Sequence, residues 1–248
     1  MITVVFVRHG ESAWNKENRF CGWVDQPLTE GGEKEARDCG ESLKEAGYDF
    51  GAVYTSVLKR AIHTADIITD VLGKKDIPTF RSWRLNERHY GGLQGLNKAE
   101  TVEKYSLEQV NLWRRSYNTP PPPAPFDLET FRRENPMYDC IPDDEIPNGE
   151  SLEMCVKRTY PYWRDTIAPQ LKPGVPVLIV AHGNAIRALI KVIENLSDTE
   201  ISSLNVPNGV PIVYTFTPEL KFVEKKFLIS EEELQAKVNE VANQLLKK

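Results

Sequence analysis

The chain has little of what metal, disulfide, membrane or nucleic-acid chemistry needs. Its four cysteines, Cys21, Cys39, Cys140 and Cys155, show neither close pairing nor zinc-ligand spacing, which argues against a disulfide framework and a structural zinc site. No carboxylate–histidine ligand cluster stands out, so no metal is expected. The apolar stretch Ile2–Val7 is far short of the roughly 18 residues that a membrane span needs, and no basic region or cleavage site accompanies it. Positive charge is not in excess: 31 Lys and Arg against 36 Asp and Glu leave a net charge of −5, which excludes a global field drawing nucleic acid or membranes. These absences together predict a reduced, cytoplasmic protein. The 248 residues suit one large α/β domain, spanning 1–248, with ample length for a core. No internal repeat or interdomain linker interrupts it.

What is present is concentrated in two places. The run Ile2-Thr3-Val4-Val5-Phe6-Val7 leads into Arg8-His9-Gly10-Glu11, and Val177-Leu178-Ile179-Val180-Ala181 leads into His182-Gly183-Asn184. Each run is short, β-branched and nearly uncharged, which predicts a strand buried on both faces of a parallel sheet. In such sheets ligands bind beyond the carboxyl ends of the strands, where both histidines fall. The glycine behind each histidine permits a tight turn and close backbone approach to a ligand.

Between and around these runs, β–α alternation predicts a three-layer, doubly wound, mostly parallel sheet flanked by helices. Thr29 caps a helix that runs to Ala46 and stops at Gly47. A short strand near Ala52–Tyr54 leads to a helix from about Ser56 to Leu72, and Thr79–Arg81 is a further extended piece before the loop holding Glu87. Alternation then stops. Residues 96–148 form a polar, aromatic insert containing the run from Pro120 to Pro125, read as a lid segment with a stiff edge rather than as a ligand for an SH3-like partner. A helix from about Ser151 to Ile167, the strand Val177–Ala181, a helix from Asn184 to Ile193 and a hairpin near Ile212–Thr217 and Phe222–Phe227 follow. The charged tail, residues 230–248, reads as a short helix or mobile arm.

Arginines change the meaning of the histidines. Arg8 adjoins His9, Arg60 follows the helix start at Thr55-Ser56, and Arg114-Arg115 form a pair within the insert. The guanidinium fork matches phosphate oxygens. Histidine with several arginines and no metal set points to phosphoryl transfer through a phosphohistidine. Such a step needs a neutral imidazole with its tautomer fixed by a hydrogen bond. It also needs donors for the equatorial oxygens, which Arg8, Arg60, His182 and the backbone at Gly183-Asn184 can supply. A carboxylate beside phosphates has its proton-bound form favoured by their charge, and Glu87 is the candidate acid, with Glu11 as its rival. His63, three positions after Arg60 on a helix, is read as packing or capping; His89 adjoins the acid loop and either acts there or only shapes it.

Arg8-His9-Gly10-Glu11, Thr55-Ser56-Val57-Leu58-Lys59-Arg60-Ala61 with Thr64-Ala65, and Ala181-His182-Gly183 resemble, in order, three signature stretches of the histidine phosphatase superfamily. The run from Asn86 to Glu100, Phe20-Cys21-Gly22-Trp23, Trp113-Arg114-Arg115-Ser116-Tyr117 and Pro147-Asn148-Gly149-Glu150-Ser151-Leu152 resemble the cofactor-dependent phosphoglycerate mutases. The resemblance runs from the first strand to the hairpin, and the tail after Phe227-Leu228 matches only loosely.

The resemblance implies that His9 is the phosphorylated nucleophile, Glu87 the proton donor and acceptor, and His182 a stabiliser of the moving phosphoryl group. Arg8, Arg60, Ser12, Asn15, Gly183 and Asn184 would line its pocket, and Cys21-Gly22 would present backbone to the substrate. Tyr90, Lys98, Arg114 and Arg115 would hold the carboxylate and distal phosphate of a glycerate. It implies 2,3-bisphosphoglycerate as phosphoryl primer, no metal, phosphoglycerates as small anionic substrates, no nucleic-acid or membrane partner, and a homodimer or homotetramer. The expected reaction is interconversion of 3- and 2-phosphoglycerate, as in glycolysis and gluconeogenesis. The alternatives are a bisphosphoglycerate synthase or phosphatase, a broader histidine phosphatase, and a catalytically dead scaffold, against which an intact Glu87 argues.

Overall fold

The computed structural model describes residues 1–246, so the last two positions of the tail segment and of the 1–248 span lie outside the described residues. Six strands form one sheet: β1 (Ile2–Arg8), β2 (Ala52–Thr55), β3 (Thr79–Arg81), β4 (Val177–Ala181), β5 (Pro211–Phe216) and β6 (Phe222–Phe227), in the order β3-β2-β4-β1-β5-β6. The first four are mutually parallel, and β5 and β6 extend the sheet antiparallel beyond β1.

Strand alternation divides the core into two layers. Ile2, Val4 and Phe6 of β1, with Val177, Ile179 and Ala181 of β4, pack toward Ile186 and Leu189 and toward Trp163 and Ile167. Val5 and Val7, with Leu178 and Val180, pack on the other face against Cys39, Leu43, Ala65 and Ile68. Helices α2 (Glu30–Glu45) and α3 (Lys59–Val71) therefore cover one face, and α7 (Leu152–Tyr162) and α8 (Gly183–Ile193) the other. Apart from Thr3 and Arg8 the two central strands are apolar, because they have no solvent face. The expected three-layer α/β architecture is what the chain adopts.

Two helix boundaries differ from expectation. The Thr29 hydroxyl caps α2 by accepting from Gly32 N at 3.0 Å. Ser56, by contrast, does not start α3; the helix begins at Lys59 behind Leu58, which offers no side-chain cap. The Ser56 hydroxyl is committed instead to Leu58 N and to a histidine described below. The helix read as Ser151–Ile167 is α-helical only to Tyr162, with Pro161 inside it, and widens into a π-type turn over Trp163–Ile167. Proline removes one backbone donor and disturbs the ladder, which accounts for the change of pitch.

The insert carries α4 (Lys98–Tyr105), α5 (Leu107–Arg115) and α6 (Leu128–Glu134). Its proline run is stitched to the loop that holds Glu87: Gly92 N donates to Pro122 O at 2.7 Å, and Asn148 clasps Ala124 N and Ala124 O at 3.0 and 2.8 Å. Gly91 (φ +52°) is needed there, because a Cβ would collide with Pro122 O. In the tail, α10 (Glu231–Ala242), capped by Ser230, folds back over the carboxyl end of the sheet. Among the described residues no helix is long and apolar enough to cross a membrane.

Candidate active site

The parallel register sets Arg8 beside Ala181, so the next residue on each strand is a histidine. His9 N donates to Ala181 O at 3.0 Å, and the His9 and His182 rings stand 4.9 Å apart between centroids, tilted by 60°. His9 Nδ1 lies 2.6 Å from Gly10 O; a carbonyl only accepts, so Nδ1 carries the proton and Nε2 keeps its lone pair. Arg60 Nε points at that lone pair from 3.3 Å. Burial first, then the Arg60 and Arg8 charges, hold the His9 pKa well below the usual histidine value. The ring is therefore neutral at physiological pH, as a nitrogen nucleophile must be.

His182 is fully buried beside the His9 ring. Its Nε2 meets Ser56 Oγ at 2.7 Å, and its Nδ1 is buried without a partner. Ser56 Oγ already accepts from Leu58 N at 3.1 Å, so we assign its hydroxyl proton to Nε2 and the ring proton to Nδ1. This leaves a desolvated N–H donor in the histidine pair.

Cations surround the pair. Arg8 Nη1 donates to Val206 O at 2.8 Å while its Nε has no partner; Arg60 is braced by Gly22 O at 2.7 Å and Val24 O at 2.9 Å. Cys21, Gly22 and Asn15 line the same pocket. Ser12 does not: it is buried and caps the one-turn helix α1 (Ala13–Lys16) reciprocally with Asn15, whose Oδ1 it engages at 2.9 Å. Its contribution is to aim Asn15.

Among the described residues Glu87 is the only carboxylate lining this pocket, against seven basic side chains: Arg8, Arg19, Arg60, Lys98, Arg114, Arg115 and Arg187. Its Oε1 accepts from Arg88 N at 2.8 Å and Asn184 N at 3.1 Å. Its backbone is held from below. Arg158, on α7, pairs with Glu150 at 2.7 and 2.9 Å and donates to Glu87 O and Asn86 O at 3.2 Å, and Trp23 Nε1 donates to Glu87 O at 2.7 Å. Both members of the Arg158–Glu150 pair are buried, so removing one of them costs about 3–5 kcal/mol. His89 belongs to this bracing: its Nδ1 accepts from Gly91 N at 3.0 Å and Gly149 N at 3.2 Å. Burial pushes its pKa down to about 4, with Arg158 adding and Glu150 opposing, so the ring stays an acceptor. His89 shapes the acid loop.

The far wall comes from the insert and the tail. Lys98, Arg114 and Arg115 line it, with Tyr90, whose hydroxyl accepts from Asn184 Nδ2 at 3.2 Å. Gln244 Oε1 accepts from both Arg114 Nη2 at 2.7 Å and Lys98 Nζ at 3.1 Å, and Val241 O accepts from Arg114 Nη2 at 3.0 Å. Burial foremost, then neighbouring arginines, lowers Lys98 well below its usual value and Arg114 to about 9. A wall of desolvated cations covered by neutral carbonyls is poised for an anion.

Thirteen of the fifteen site residues expected from the sequence line this one pocket; of the other two, Ser12 caps α1 beside Asn15 and His182 stands beside His9. Glu11 does not enter: its carboxylate accepts from Thr29 Oγ1 at 2.9 Å on the flank of α2. His63 is exposed on α3 and neither packs nor caps, correcting the expectation. Sequence reasoning missed Ser56, Arg19, Phe20, Arg158, Arg187, Asn205, Val206, Val241 and Gln244. Ser56 and Phe20 lay inside motif stretches without a role assigned to them, and Arg187 stands three positions after Asn184 on one helix face. Among the described residues no three His, Cys, Asp or Glu side chains stand together as a metal set.

Known structures share this fold. The solved structure of YhfR from Bacillus stearothermophilus superposes with a TM-score of 0.67 at 24% identity, covering 89% of this chain and 94% of that one. A mycobacterial glucosyl-3-phosphoglycerate phosphatase complexed with VO3 gives 0.67 at 23% identity, with 87% and 93% covered. A putative α-ribazole-5′-P phosphatase from Escherichia coli K-12 gives 0.67 at 21% identity, with 92% and 96% covered. At these identities the likeness is one of fold. The family model for the histidine phosphatase superfamily (branch 1) matches residues 4–135 and 128–227, nearly the whole sheet and its helices. This chain belongs to the histidine phosphatase superfamily, and is by that membership a phosphoryl-transfer enzyme.

Proposed function

We propose that the protein is a 2,3-bisphosphoglycerate-dependent phosphoglycerate mutase that interconverts 3- and 2-phosphoglycerate through phospho-His9. The observation that carries the reading is the pairing of two cationic ends in one pocket: Arg8 and Arg60 at His9, and Lys98, Arg114 and Arg115 on the insert, with the tail across them. A substrate with an anion at each end can turn over there and present either end to His9. Buried donors without a partner, Arg8 Nε and His182 Nδ1, fit a phosphoryl group. 2,3-Bisphosphoglycerate, when bound, supplies the phosphoryl group that charges His9.

The chain's own groups account for each step. Phospho-His9 holds the phosphorus on Nε2 while Arg8, Arg60 and His182 Nδ1–H take its equatorial oxygens. Glu87 removes the proton from the 2-hydroxyl of 3-phosphoglycerate as that oxygen bonds to phosphorus. The P–N bond breaks and its electron pair returns to Nε2. After reorientation His9 Nε2 attacks the 3-phosphoryl group, and Glu87 returns its proton to the departing oxygen, releasing 2-phosphoglycerate. The insert and α10 keep water from competing with the hydroxyl.

The second reading is a phosphomonoesterase, in which water takes the hydroxyl's place; the phosphatases among the solved structures of this fold favour it. A chase separates the two. His9 is charged with labelled phosphate and 3-phosphoglycerate is added. The mutase reading expects label in phosphoglycerates, with far less released as inorganic phosphate; label released to water at an unchanged rate favours the esterase.

A further inference from the structure

Arg187 stands on α8 at the pocket wall, 4% exposed, with no role in the steps above. Its Nη1 donates to Asn184 Oδ1 at 2.8 Å and its Nη2 to Ile201 O at 2.6 Å, on α9 (Asp198–Ser203); its Nε has no partner. A guanidinium has donors only, so the end of the Asn184 amide that faces it must be the oxygen. The amide nitrogen is thereby turned the other way, to Tyr90 OH at 3.2 Å, while the backbone N–H of Asn184 holds Glu87 Oε1. One arginine thus sets which face of an active-site amide the pocket sees.

We propose that Arg187 is a positioning residue that acts through Asn184, locking the amide with its N–H₂ group toward the pocket so that an incoming phosphoryl anion meets a donor. Released from Arg187, the amide is free to flip and offer its oxygen, which repels the anion. Burial and the charges of Arg115 and Arg88 lower the Arg187 pKa to about 9. The inference rests on the pocket binding phosphoryl anions, and not on whether the acceptor is a hydroxyl or water.

The test is a double-mutant cycle on inorganic phosphate binding, read by calorimetry, with Arg187→Met, Asn184→Ala and both together. Arg187→Met is expected to weaken binding roughly tenfold, as for loss of one hydrogen bond to a charged group, and to have no further effect in Asn184→Ala. Arg187→Lys, which keeps a donor for Oδ1, should recover part of the affinity even if Arg187→Met folds poorly. Independent losses from the two substitutions, or a lowered Tm with unchanged phosphate affinity, would overturn the proposal. A wild-type protein that binds no phosphate would overturn the anion pocket itself, and this inference with it.

Discussion

Replacing His9 by glutamine is expected to abolish the acid-labile phosphoenzyme and to lower turnover by at least about 10⁴-fold. The argument is geometric. Nδ1 is fixed as the protonated nitrogen by Gly10 O, so Nε2 is the only free nucleophilic atom at the meeting point of Arg8 and Arg60. An amide cannot take its place. Because burial, and then the neighbouring cations, hold the ring neutral well below pH 6.5, the acid limb of kcat/KM for the wild type should carry no His9 protonation near pH 6.5. The substrate phosphate's own second ionisation, at about 6, is corrected for separately. A pH profile whose corrected limb falls at the ordinary histidine value would show that the ring is charged in the free enzyme, and this account of its activation would fail.

Glu87→Gln should lower kcat by about 10²–10⁴-fold while leaving KM within a small factor. Glutamine retains an oxygen for Arg88 N and Asn184 N, so the loop keeps its shape; what it loses is the exchangeable proton. The loss should depend on the leaving group. Phosphorylation of His9 by 2,3-bisphosphoglycerate, whose departing alkoxide needs a proton, should fall by the full factor. Phosphorylation by p-nitrophenyl phosphate, whose phenolate leaves unprotonated, should fall little. Equal losses with both donors would make Glu87 a positioning group rather than the acid. A kcat unchanged with both would remove it from the chemistry.

How far such a site can be read from sequence follows from what each residue depends on. His9 and His182 are legible because each ends an apolar strand, and two parallel strands in register deliver their next residues to the same place. The acid loop is legible as a motif but not as a structure. What holds Glu87 is Arg158 from α7, Trp23 from the loop before α2, and a proline strap seated on Gly91, contacts that join positions far apart in the chain. Ser56 misleads because its hydroxyl suits a helix cap, and the claim of a buried imidazole prevails over it. Gln244 and Val241 carry no signal at all: an amphipathic, charged tail reads as a short helix or an arm until the Lys98 and Arg114 donors are seen to need acceptors.

The central claim is tested most directly by following conversion of 3- to 2-phosphoglycerate with chelator present and 2,3-bisphosphoglycerate titrated from zero. The account predicts isomerisation that rises from near nothing to saturation with the bisphosphate, with little free phosphate released. Phosphate release without isomerisation at any bisphosphate concentration would contradict it.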